Sequence, residues 1–465
     1  MRAHDSGRLA ALTGARLVGD AGASVGPDVV IDSRAVTPGC LFVALPGEHV
    51  DGHDFADRAV AAGAAAVLVA RELELPVPQL VVPDVGAGLA ALGSAIAAEG
   101  TAAGMVTIGI TGSSGKTSTK DLVAQVLGVA GETVAPVGSF NNEIGVPLTA
   151  TRVTPDTRFL VSEMGARGQG HITWLCEIVP PQVGVVINVG HAHLGEFGSV
   201  EAIAQAKGEL VKAVPADGWA VLNADDPLVT AMRSRTTART AAFSTSGEPS
   251  WGEERVWASG VTADALQRPA FTLHAGAARA PVQLLVSGAH QVGNALAAAA
   301  VGLSQGIPVD DVAAALSMAT ARSHWRMELT ERADGVLVVN DAYNANPDSM
   351  TAALRTLASL RRPGGRLLAV LGDMLELGPD APAEHRASGT LAAELGVDAL
   401  IVIGAHAPDF AAGYGPATMF APSREIAVEA ASAWLRPADV VLVKASRGLA
   451  LETVAEQLSA VEDGR

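Results

Sequence analysis

At 465 residues the chain exceeds what one hydrophobic core supports, which implies two to four domains. A net charge of −17 excludes a protein that neutralises nucleic-acid phosphates with a basic stripe. Two cysteines, Cys40 and Cys176, exclude a disulfide framework and a cysteine metal site, so a reducing cytoplasm is the expected location. Apolar residues make up 49% and aromatics only 4%, which suits closely packed α/β layers. The first residues lack an apolar signal core, and the longest apolar run, Ala59–Ala70, is shorter than the ~18 residues a span requires; no membrane span is expected.

In chain order, residues 1 to about 100 alternate short strands (Val29–Ile31, Leu41–Ala44, Ala66–Val69, Gln79–Val82) with helical pieces and close on an alanine-rich helix over Val85–Glu99. The next block opens with a strand at Val106–Ile110 and a glycine-rich turn, Thr111–Gly115. Ser118–Ala130 then sets Leu122, Val123, Val126 and Leu127 at helical spacing. Strands follow at Arg158–Ser162, Val183–Val189 and Trp219–Asn223. Ser246–Gln267 is polar and rich in Gly, Pro and Ser, and reads as a surface excursion. Ala295–Leu303 reads as a buried helix. The βα rhythm resumes with strands at Val336–Asn340, Leu367–Leu371, Ala399–Ile403 and Val440–Lys444, and helices from Ser349 and near Ala383–Leu395. Strands alternating with helices imply mainly parallel sheets. The expected class is therefore α/β, in three domains at residues 1–100, 101–320 and 321–465.

Strand, glycine turn and helix at 106–130 form the context of a phosphate-binding loop made by Gly112, Ser113, Ser114, Gly115, Lys116, Thr117 and Ser118. Turn amides and the helix N-terminus would cradle phosphate oxygens. Lys116 would reach the β/γ phosphates, and the Thr117 hydroxyl would sit on Mg²⁺. The strict motif places glycine where this chain has Ile110, so the loop is a variant built on Gly109 and Gly112.

Other candidates sit at strand ends, where ligands bind in such sheets. Glu163 ends one strand and reads equally as a Mg²⁺ ligand or as a solvated or capping carboxylate. His191 and His193 follow another strand, as ligands or as loop histidines. Lys207 lies on a helix with Ile203, Leu210 and Val211, where a lone lysine is ordinarily solvated. Asn294 opens the alanine-rich helix as an N-cap or as a reader of an adenine edge. Arg326 precedes a strand ending in the dense polar cluster Asn340–Ser349, where Asp341 could contact ribose or phosphate. Gly372–Gly378 and Lys444–Gly448 repeat that geometry, and three polar strand ends suggest one cleft.

Taken together, the phosphate loop, Ser-Phe-Asn-Asn-Glu-Ile-Gly-Val-Pro-Leu-Thr (139–149), Glu-Met-Gly-Ala (163–166), Ala-His-Leu (192–194), Ala-Lys-Gly-Glu (206–209), His-Gln-Val-Gly-Asn-Ala (290–295), Asp-Ala-Tyr-Asn-Ala-Asn-Pro (341–347) and Gly-Asp-Met-Leu-Glu-Leu-Gly (372–378) resemble the Mur ligases over almost the whole chain. The last two motifs, and the lack of Asp-Asn-Pro-Arg, are similar to the member that adds D-alanyl-D-alanine. Folylpolyglutamate synthetase shares the loop and the lysine, but not the uridine-type segment around Asp32-Ser33-Arg34 and Asp51-Gly52-His53. A nucleotide-gated binding protein would not require Lys116, Glu163, His193 and Lys207 together.

The resemblance implies a uridine-nucleotide-binding domain, a central ATPase domain and a C-terminal dinucleotide-fold-like (Rossmann-like) domain. It implies an ATP-dependent, amide-bond-forming ligase of peptidoglycan precursor synthesis. The terminal carboxylate of a UDP-N-acetylmuramoyl-tripeptide would become an acyl phosphate, then be attacked by D-alanyl-D-alanine. Two Mg²⁺ ions are implied, held by Thr117, Glu163, His193 and a carbamylated Lys207. Lys116, His193 and Lys207 would be catalytic. Ser113 to Ser118, Asn294, Arg326, Asp341 and Asn344 would bind ATP, and Ser33, Arg34, Asp51, His53, Asn141 and Asn142 the UDP substrate. A monomer without nucleic-acid partners is expected.

Overall fold

The computed structural model describes residues 1–47, 50–190 and 194–460. Its central sheet has nine strands, in the order Ala278–Gln283, Pro269–Ala275, Glu254–Ala263, Arg239–Ser244, Trp219–Asn223, Val183–Val186, Val106–Thr111, Thr157–Glu163 and Glu132–Val134. All pair in parallel except the terminal hairpin of Glu254–Ala263, Pro269–Ala275 and Ala278–Gln283. Ile110 lies opposite both Glu163 and Val185, so three strands end in register at one edge. The phosphate loop, Glu163 and the segment after Val186 thus meet there by topology.

Strands covered on both faces read as continuous Val/Ile runs, as these do. One face packs on Leu122, Val123, Val126 and Leu127 of the helix Lys116–Gly128 and on the helix Gln291–Ser304. Ala295 and Ala297 to Ala300 are fully buried, and their small side chains let the two helices approach closely.

The first segment forms a five-stranded sheet, Arg16–Val18, Gln79–Val81, Ala66–Val69, Leu41–Val43 and Val29–Val30, plus a short ribbon of His4–Asp5 and Ser24–Val25. The helix Val85–Ala102 starts where the Asp84 side chain accepts from the Ala87 amide. Its Leu89, Leu92 and Ile96 pack among Leu41, Leu68 and Leu80 on one side and Val146, Leu160 and Met164 on the other. One core therefore joins the first lobe to the central lobe. Among the described residues this is the one helix long and apolar enough to cross a membrane; its leucines lie inside that core.

The last segment has six strands, Glu328–Glu331, Leu337–Asn340, Val440–Lys444, Leu367–Gly372, Ala399–Ile403 and Thr418–Phe420, parallel except at the first pair. Its two faces carry separate cores, one around Leu354, Leu371 and Phe410, the other around Val338, Ile401 and Val443.

The stretch Ser246–Gln267 is a surface excursion only in its first residues, Ser246–Ser250, which form mostly exposed bends. It contains the ten-residue strand Glu254–Ala263, with Val256 fully buried and Trp257 stacked on His274 at 4.9 Å. Its Gly, Pro and Ser gather in Ser246–Gly252, ahead of the strand, while Ser259–Ala263 runs past the core into solvent. The phosphate-loop helix begins at Lys116 rather than Ser118, and the third strand stops at Val186 rather than Val189.

Candidate functional site

A cleft of about 870 Å³ lies between the C-terminal edge of the central sheet and the strand ends of the last lobe. Ser113 to Ser118 line one wall. Gly115 holds φ +79°, and a Cβ there would stand 2.7 Å from Asn294 Oδ1, so the turn needs glycine on both counts. Lys116 Nζ curls back to donate to Gly112 O at 2.7 Å. Burial depresses the Lys116 pKa, the Arg326 charge adds to this, and Glu163 opposes it. Ser113 and Ser114 amides donate to Asn188 Oδ1 (2.9 and 3.0 Å), which braces the turn from the neighbouring strand end. The helix N-terminus contributes the amides left without intrahelical acceptors.

Thr117 Oγ1 stands 2.8 Å from Ser139 Oγ and donates to Glu163 Oε2 at 3.0 Å. Asn141 Nδ2 donates to Glu163 Oε1 at 2.8 Å and orients the carboxylate. Glu163 is 1% exposed, which rejects the solvated reading. Two hydroxyls and a carboxylate form the hard oxygen set that Mg²⁺ accepts when nucleotide phosphates and waters complete its shell. The residues therefore fit one ion. Among the described residues no group of three or more His, Cys, Asp or Glu side chains gathers. His191 and His193 lie outside the described residues.

Lys207 is not a solvated helix lysine. It is 5% exposed on the helix Val200–Ala213, and burial, with the Lys116 charge adding to it, drives its pKa well below the ordinary value. Asn294 is not the N-cap either. His290 occupies that position, and Asn294 sits in the first turn, 4% exposed, accepting from Thr119 Oγ1 at 3.1 Å and donating to Gln291 Oε1 at 2.9 Å.

From the last lobe, Arg326 Nη2 donates to both Thr117 Oγ1 and Ser139 Oγ at 3.0 Å, and its guanidinium lies 4.1 Å from the Tyr343 ring centroid. Asp341 is held from within: Lys444 Nζ donates to its Oδ2 at 2.7 Å and the Met327 amide to its Oδ1 at 3.1 Å. Lys444 also donates to Asn344 O at 2.8 Å. Asp341 and Asn344 line the cleft.

Asn141 and Asn142 line the cleft as well, and Asn142 Oδ1 accepts from the Gly145 amide at 2.9 Å. Ser33, Arg34, Asp51 and His53 do not line it. Asp51 accepts from the His53 amide and ring and from Arg71, which lower its pKa to about 2. His53 is buried, its Nε2 accepting from the Ala70 amide. Arg34 is exposed and paired with Asp32. Sequence reasoning counted Tyr343 and Lys444 among the polar strand ends of one cleft without giving either a role, and did not single out Ser139 or Asn188. Their positions beside strand ends were the available signal.

Fold and cleft define a three-lobed α/β protein with a phosphate loop facing a separate Rossmann-like lobe. Residues 28–106 match the Mur ligase family catalytic domain, 110–302 the Mur ligase middle domain, and 325–447 the Mur ligase glutamate ligase domain. The chain is 50% identical to UDP-N-acetylmuramoyl-tripeptide–D-alanyl-D-alanine ligase of Mycobacterium tuberculosis over 96% of each chain, and 37% identical to that of Escherichia coli over 92% and 93%. A crystal structure of MurF from Acinetobacter baumannii superposes with a TM-score of 0.86 over 99% of this chain and 100% of that one, at 29% identity. MurF ligase from Thermotoga maritima in complex with ADP gives 0.77 over 93% and 97%, also at 29%. The chain belongs to the Mur ligase family.

Proposed function

We infer that the protein is an ATP-dependent ligase that adds D-alanyl-D-alanine to a UDP-N-acetylmuramoyl-tripeptide in cytoplasmic peptidoglycan precursor synthesis. The observation that carries this reading is the near-full-length identity to proteins of that name, on a chain whose Lys116, Thr117 and Glu163 converge in the cleft. The tripeptide carboxylate attacks the γ-phosphorus of ATP, forming a C–O–P linkage and releasing ADP. The D-alanyl-D-alanine amine then attacks the carbonyl carbon, loses a proton, and the C–O bond breaks to release phosphate. Carboxylate, triphosphate and amine must be held together against charge repulsion, so positioning and charge neutralisation do most of the work.

Lys116 neutralises phosphate oxygens, and Arg326, already hydrogen-bonded to Thr117, brings a second cation from the last lobe. Thr117 and Glu163 would hold a Mg²⁺ ion, which neutralises charge as it develops on the phosphates. A second ion would be held by His193 and by Lys207 as its carbamate. Burial supports the latter, since carbon dioxide adds to neutral amine. Asn294, Asp341 and Asn344 would contact the nucleotide. Ser33, Arg34, Asp51, His53, Asn141 and Asn142 would contact the UDP substrate. The domains would divide at 1–100, 101–320 and 321–465, and the protein would act as a monomer.

The test is phosphate release over a matrix of UDP-muramoyl peptides and amine acceptors, with Lys116→Ala as control. Release should require ATP, the UDP-tripeptide and D-alanyl-D-alanine together. Lys116→Ala should lose at least about 100-fold while keeping its circular dichroism spectrum. Efficient addition of a single free amino acid would move the protein to another branch of the family.

A further inference from the structure

Lys120 and Asp121, one turn into the phosphate-loop helix, are 1% and 5% exposed, yet neither lines the cleft. Their side chains meet at 2.6 Å. Lys120 Nζ donates to the carbonyls of Pro136 and Gly138 at 3.0 and 3.1 Å, and to Ser323 Oγ at 3.1 Å. Asp121 Oδ2 accepts from the amides of Arg322 and Ser323 at 3.2 and 2.9 Å, and Oδ1 from the Ser323 hydroxyl at 3.2 Å. One turn further on, Gln125 exchanges two hydrogen bonds with the backbone of Thr320.

The segment 320–323 leads from the central lobe to the last one. It is thus pinned to the helix whose N-terminus forms the phosphate site. Immediately beyond it, Trp325 and Met327 hold φ of 60° and 53°, a left-handed conformation that side-chain-bearing residues adopt only at a cost. Arg326, between them, points back to Thr117 and Ser139. A buried ion pair is a weak source of net stability, because desolvation offsets its attraction. A fully hydrogen-bonded one does fix the position of what it holds.

We propose that Lys120 and Asp121 are positioning residues: they clamp 320–323 to the phosphate-loop helix, confine bending between the lobes to 324–327, and so deliver Arg326 to the loop in register. The proposal rests on the reading of that loop as the ATP site. Asp121→Ala and Ser323→Ala are compared with the wild type by ADP equilibrium dialysis, by steady-state phosphate release, and by the rate of tryptic cleavage after Arg322 and Arg326. ADP affinity and the KM for ATP should stay within about threefold, while kcat falls about tenfold or more. Cleavage at 322 and 326 should accelerate in both variants, more in Asp121→Ala. Wild-type kcat with wild-type cleavage would overturn the clamp. So would loss of ADP binding in step with kcat, which would mean that the pair shapes the loop itself. Ser323→Ala keeps the ion pair intact, and decides the matter alone if Asp121→Ala does not fold. Failure of the wild type to bind ADP would instead overturn the ATP-site reading, and the proteolysis result would still judge the clamp.

Discussion

An ammonium at Lys207 is disfavoured twice, by burial on the Val200–Ala213 helix and by the charge of Lys116. The unfolded chain keeps the ordinary pKa near 10.5, so between the depressed folded value and 10.5 it holds a proton that the folded chain has shed. Folding therefore gains stability as pH rises through that window, by up to about 1.4 kcal/mol per pH unit for one group. In buffer freed of carbon dioxide, the rise in Tm from neutral to alkaline pH should be shallower in Lys207→Met than in the wild type. Lys116 and Lys444, also depressed by burial, supply the slope that remains. Equal slopes would mean that Lys207 is not linked to folding in this way. Bicarbonate then separates the amine from its carbamate: a ¹³C carbamate signal should appear in the wild type and be absent from Lys207→Met.

Helix against helix, the decisive contact is where Val85–Ala102 meets Gly145–Ala150. A Cβ on Gly93 would stand 2.7 Å from both Cα and O of Pro147. Alanine inside a helix ordinarily gains about 0.5–1 kcal/mol over glycine. Here the obstructing atoms are backbone, and overpacking of this kind costs about 1–3 kcal/mol. The clash wins, so Gly93→Ala should lower Tm by several degrees in a thermal melt. Gly128→Ala, with nothing within 4 Å of its Cβ, should leave Tm unchanged or raise it. Elements like these were legible in the sequence wherever periodicity or a rare residue combination marked them. The phosphate loop and the four inner strands of the last lobe are such cases, whereas its edge strands Glu328–Glu331 and Thr418–Phe420 were not read. The hairpin following Glu254 was hidden because only half of its first strand is buried, so its composition resembled a loop. Asn188 and Asp121, and the partner though not the place of Lys444, were hidden for another reason. Their partners lie 75, 202 and 103 residues away in sequence, and no local pattern encodes such pairings.

Across the whole molecule the lobes are joined unequally. The first and central lobes share one continuous core, whereas the last lobe has two cores of its own. It meets the central lobe through Leu266, packed on one of those cores, and through polar contacts such as Arg326 with Thr117, the Gly195 amide with Glu376 O at 3.2 Å, and Gln267 Nε2 with Ser359 O at 2.9 Å. Relative motion is the default across a polar interface of this kind, and cohesion the default across an apolar one. The cleft sets Lys116, Arg167, Arg326, Lys444 and Arg447 among Glu163, Asp225, Asp341, Asp348 and Glu376, and Lys444 is paired with Asp341. A triphosphate on the loop would attract both Lys116 and Arg326, one cation from each lobe, and so draw the lobes together. Closure should therefore require nucleotide, and be completed by the UDP substrate that supplies the acceptor carboxylate. Small-angle scattering should show the radius of gyration falling toward about 23 Å, the value for a compact chain of this length, when both ligands are present. Arg326→Ala should weaken that contraction, because it removes the cation that crosses to Thr117. A radius unchanged by ATP and UDP substrate together would show that the lobes are fixed as they stand, and that turnover does not depend on their closing.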